Sequence, residues 1–174
     1  MSPSLGRRFP LWRIITVDGR TLNQIMSSLQ SEPFDVTDTA RRALETVNFS
    51  KTRDLFALCL VSPRDLDSSL NPTLMEIYTR SRRAGLSLCP EETAAYLRLS
   101  YIDPPRGERV VVASMPIPIN DRSDVVFEIY NTNTDKLTLG TQDGDPFSHW
   151  AENTLFVFKL KLRAGNLRKP HMKM

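Results

Sequence analysis

At Leu97 the apolar residues of this 174-residue chain change period, and that change limits the fold more than any other feature. Upstream they recur mostly at helical spacing. From Leu97, Leu99 and Tyr101 onward they alternate with Arg98, Ser100 and Ile102, the two-residue period of a strand. Helices followed by a run of strands argue for an α+β chain rather than regularly alternating βαβ units. The expected fold is an antiparallel β-meander of about five strands between 97 and 162, with three to four helices packed on one face.

Local chemistry fills in the elements. Asn71 is a good N-cap and Pro72 suits the first helical position, because its missing N–H has no partner there to lose. Leu74, Ile77, Tyr78 and Ser81 then form one stripe, Glu76 and Arg80 sit four apart, and Gly85 supplies a left-handed stop. A shorter helix is predicted from Pro90, with Glu91 and Glu92 in its first turn. Asp103 to Gly107 is a turn, and Glu108 to Met115 resumes as a Val-rich strand, so 97–115 reads as a β-hairpin. In that hairpin Arg98 faces solvent or pairs with Glu108, and Tyr101 lies in the core.

Several blocks carry a resemblance. Gly85 to Glu91, Leu97 to Asp103 and Pro105 to Glu108, with Phe9-Pro10-Leu11-Trp12 before them and Phe156-Val157-Phe158 after, resemble a family of small bacterial proteins of uncharacterised activity. The resemblance spans most of the chain in short pieces, while the middle loops and the basic tail depart from it. It implies a bacterial origin and brings no site residues. Some members carry a helicase label, but a helicase motor needs a phosphate-cradling G-x-x-x-x-G-K-[ST] loop, and this sequence has none.

Elsewhere, Trp12 to Val17 reads as a first strand, and Thr21 caps a helix through Gln30 with Leu22, Ile25, Met26 and Leu29 as its stripe. Thr37 or Asp38 caps another, whose stripe is Ala40, Ala43, Leu44 and Val47. Leu55 to Val61 is a buried strand, and Pro63 to Ser69 a loop with room for one helical turn. Pro116 to Ile119 is extended and suits a sheet edge. Val125 to Tyr130 and Lys136 to Leu139 form a second hairpin, Thr141 to Asn153 a loop, and Leu155 to Leu162 the last strand. The expected organisation is a single domain over 9–163, a disordered segment 1–8 and a flexible basic tail 164–174.

Charge is distributed unevenly. All 20 acidic residues but only 14 of the 23 basic ones fall within 18–158, which makes the body net −6 and leaves the ends purely basic. If the ends meet, they form a positive patch suited to a polyanion, and Arg7, Arg8, Arg13, Lys159, Lys161, Arg163, Arg168 and Lys169 become candidate nucleic-acid contacts. Arg80, Arg82 and Arg83 on a helix face are weaker candidates. Two cysteines, Cys59 and Cys89, are too few for a disulfide framework or a four-ligand zinc site. The longest apolar run is far short of a membrane span, and a reduced, cytoplasmic setting without a cofactor is expected.

Asp143, Asp145 and His149 are the most site-like cluster, offering carboxylates and an imidazole on one loop. Their spacing lacks the further ligands of a calcium loop, and the same residue types are what a turn needs, so a structural loop with Trp150 packed on the core is expected. No G-x-S-x-G elbow is present. These readings rank three functions: a non-enzymatic binding module for an unknown macromolecule, a nucleic-acid binder using the basic ends, and a hydrolase or nuclease using Asp143, Asp145 and His149.

Overall fold

A computed structural model describes residues 9–161. In chain order the elements are β1 (Arg13–Asp18), α1 (Leu22–Leu29), β2 (Phe34–Val36), α2 (Asp38–Thr46), β3 (Arg53–Val61), a single 3-10 turn (Arg64–Leu66), α3 (Leu74–Arg83), β4 (Leu86–Ser87), α4 (Thr93–Ser100), β5 (Arg109–Val112), β6 (Ile117–Asn120), β7 (Ser123–Asn131), β8 (Leu137–Asp143) and β9 (Leu155–Leu160). The sequence-predicted segments 1–8 and 164–174 lie outside the described residues. Among those described, no helix is long and apolar enough to cross a membrane.

The strands form one nine-stranded sheet in the order β1-β3-β9-β5-β7-β8-β2, with β4 added to β9 and β6 added to β7. It is mixed: β5 runs parallel to β9 and β2 parallel to β8, while the other pairs are antiparallel. The chain is therefore α+β in content, but the expected five-strand antiparallel meander is replaced by a larger mixed sheet. The reason is strand order. The last strand does not extend the edge but inserts between β3 and β5.

The helices also differ from expectation, being divided between the two faces. Ile25 and Leu29 of α1, Ala40 and Leu44 of α2 and Ala94 to Leu97 of α4 share one core with Ile15, Leu58, Val112, Phe127 and Val157. Leu74, Ile77 and Tyr78 of α3 share a second core with Cys59, Val111, Val126, Phe156 and Phe158. The central strands alternate between the two: Val110 and Val112 point one way, Val111 and Ala113 the other. Strands buried on both faces need a layer on each.

Leu97 to Ser100 is helix, not strand. Every residue of α4 from Thr93 to Arg98 is buried, so no polar face marks the helical period. Arg98, expected at the surface, is wholly enclosed. Its guanidinium donates to the carbonyls of Tyr101, Tyr130 and Thr138, which ties the end of α4 to the β7–β8 ladder. Burial lowers its pKa to about 10. Glu108 instead accepts from the Tyr101 hydroxyl.

Cap chemistry was largely as expected. Thr21 and Gln24 form a reciprocal capping box on α1, and Thr37 caps α2. The start of α3 moves two residues along: Thr73, not Asn71, accepts from the Glu76 N–H. Gly85 has φ +87°, the left-handed stop the sequence called for.

Candidate functional site

The first candidate follows from the sheet order. β3 lies between the first and last strands, with Arg13 opposite Leu58 on one side and Lys159 opposite Leu58 on the other. Residues directly opposite share a face, so Arg13 and Lys159 form one row about 10 Å apart. Of the basic residues at the two ends, Arg13 and Lys159 are thus brought together across β3. Each cation is engaged there. The Arg13 guanidinium lies 4.3 Å from the Tyr101 ring centroid and 5.3 Å from that of Trp12, and it reaches Asp103 at 4.0 Å. Trp12 and Tyr101 meet edge to face with centroids 5.2 Å apart. Lys159 sits 4.3 Å above the Phe56 ring, and Lys161 is exposed beyond it. Arg7, Arg8, Arg163, Arg168 and Lys169 lie outside the described residues.

The loop 143–150 is held on the N-terminus of α3. Leu74 N–H donates to the Ser148 carbonyl, Met75 N–H to Pro146 and Trp150 N–H to Pro72. Trp150 packs edge to face on Phe156 at 5.1 Å. The His149 Nδ1 donates to the Asn71 carbonyl at 2.7 Å, which fixes the proton on that nitrogen. Asp143 accepts from Asp145 N–H and the Ser148 hydroxyl, and Asp145 accepts from Phe147 N–H. Those donors hold the Asp143 carboxyl below its ordinary pKa, the Ser148 hydroxyl most of all. The side chains of Asp143, Asp145 and His149 are therefore engaged in closing turns and docking the loop, and none bonds the side chain of another. Among the described residues, no group of three or more His, Cys, Asp or Glu could hold a metal ion.

Both thiols are buried and free. Cys59 lies in the α3-side core and Cys89 in the other, donating toward the Phe158 and Val157 carbonyls. Burial pushes Cys59 up to about 11 and Cys89 higher still, so neither is an activated nucleophile.

Two surfaces escaped the sequence reading. On the α3-side face, Ile14 (57 % exposed) and Leu55 (53 %) are diagonal neighbours across β1 and β3, with Leu11 also exposed just ahead of β1. Among the described residues, β1 ends the sheet order and has no strand on its outer side. The other surface surrounds the docked loop, where Leu70 is 80 %, Met75 50 % and Phe147 69 % exposed. A signal for the first existed in Leu11, Ile14 and Leu55 themselves, but the extent of α3's cover is not written locally. No protein-family model, curated protein or solved structure matches this chain.

Proposed function

We propose that this protein is a non-enzymatic binding module for another macromolecule, working in a bacterial cytoplasm with both thiols reduced. The observation that carries the reading is the end of the sheet that no strand covers among the described residues. Ile14 and Leu55 leave an apolar face uncovered beside the outer edge of β1. An open edge with apolar side chains next to it suits an added strand, which gains main-chain hydrogen bonds and side-chain burial together. Affinity capture from bacterial extract with the wild type and an Ile14→Asp/Leu55→Asp variant tests it. A defined partner retained only by the wild type is expected. Identical captures by both would overturn this reading, provided the variant melts cooperatively.

A nucleic-acid-binding function is favoured by one observation, the Arg13–Leu58–Lys159 row, which sets one basic residue from each end side by side. Anisotropy of labelled RNA and DNA across a salt series, with the full chain and with residues 1–163, tests it. Binding that weakens steeply with salt and falls on truncation is expected from phosphate neutralisation by the tail. Absence of binding at low salt would sink it.

A further inference from the structure

We infer that the surface around Leu70, Met75 and Phe147 is a docking site for a basic, Lys/Arg-rich protein segment that carries an apolar anchor residue. The inference rests on reading the protein as a binding module, and it names a second surface and a partner chemistry for it. Residues 69–76 and 143–150 are stitched by backbone hydrogen bonds into one composite loop, so three large apolar side chains are presented from a single scaffold. Solvent-facing apolar side chains grouped in this way are a mark of interaction surfaces.

Charge selects the partner. Beside Phe147 runs a groove of about 470 Å³ lined by Asp121, Asp124, Asp143, Asp145 and Pro146, with Arg122 its one basic side chain. Asp143 and Asp145 lie four and two residues before Phe147, and all four carboxylates are exposed. An acidic groove beside exposed apolar side chains complements a cationic chain that inserts an apolar side chain, and it repels an acidic one. Asp124 joins the fold through its backbone, accepting from Gly144 N–H, while the carboxylates of Asp121 and Asp124 have no hydrogen bond or ion pair among the described residues and are available to a partner.

The probe is a fluorescein-labelled peptide of four Lys-Arg-Leu repeats, titrated with the full chain and compared with Lys-Arg-Ser repeats. Binding of the first peptide should weaken as salt rises. The second should bind about tenfold more weakly, because the anchor is gone. Phe147→Ser and Asp121→Asn/Asp124→Asn should each lose about tenfold for the Lys-Arg-Leu peptide, and these exposed positions leave the core untouched. Equal affinity for the two peptides, unchanged affinity in either variant, or no binding would overturn the inference. A partner captured through Ile14 and Leu55 alongside a peptide that does not bind would leave the binding-module reading standing and this site refuted. Peptide binding without such a partner would do the reverse for the β1 edge.

Discussion

Raising the pH from 8 to 10 should destabilise this protein chiefly through its two thiols. A thiol is an acid, and burial raises its folded pKa above its unfolded one. Its contribution is therefore complete below the unfolded value and is lost as pH climbs from there toward the folded value. Cys59 rises from 9.0 to about 11 and Cys89 is raised further, both by desolvation in cores where they are 0 % and 3 % exposed. At pH 10 the unfolded thiols are mostly ionised and the folded ones are not. Each then withdraws about 1.4 kcal/mol, or about 3 kcal/mol for the pair. Urea unfolding followed by tryptophan fluorescence, in a non-thiol reductant, measures this at both pH values. The buried tyrosines Tyr78, Tyr96 and Tyr101, whose pKa values are also raised, begin to contribute at the upper end. They are shared with a Cys59→Ala/Cys89→Ala variant, so the comparison cancels them. The variant should lose about 3 kcal/mol less than the wild type between the two pH values, whatever the substitutions cost at pH 8. Equal losses would refute the burial of the thiols.

Three further outcomes follow from packing. Gly144→Ala should cost about 1–3 kcal/mol in chemical unfolding, because its Cβ would stand 2.9 Å from the Val125 carbonyl carbon and 3.0 Å from its nitrogen, both backbone atoms. Thr73→Ala should cost about 1 kcal/mol by removing the α3 cap, while the same change at exposed Thr16 costs much less. Arg98→Lys keeps the charge but lacks the fork that reaches three carbonyls, so a loss of about 1–3 kcal/mol is expected by thermal or urea unfolding.

What could be read from the sequence divides along the range of the interactions. Thr21, Thr37 and Gly85 act within a few residues of themselves, and their roles were legible. Pro72 misled by two positions because its carbonyl serves Trp150, a partner 78 residues away that no local rule supplies. Leu97, Leu99 and Tyr101 alternate as a strand would, yet the segment is helix. Enclosure of α4 on nearly all sides removes the polar stripe that would have revealed the longer period. The apolar run at Leu55–Val61 was legible as a buried strand, but the helices were expected on one face, and the second layer that such a strand needs was not drawn from it. The Arg13–Lys159 row needed β3 as go-between. The surfaces at Ile14 and Phe147 needed to know where α3 stops and where a distant loop docks.

The seat of β9 between β3 and β5 has a consequence for synthesis. When the first 150 residues have left the ribosome, β1 and β3 can pair, and so can β5, β7 and β8, but these are two separate sheets with raw edges. The segment that closes them follows all of these strands in the chain and joins partners that are about a hundred residues apart in sequence for β3. Completion of the fold thus waits for β9 and is slow by its long loop closures, and until then the inner edges of β3 and β5 stand open to other nascent chains.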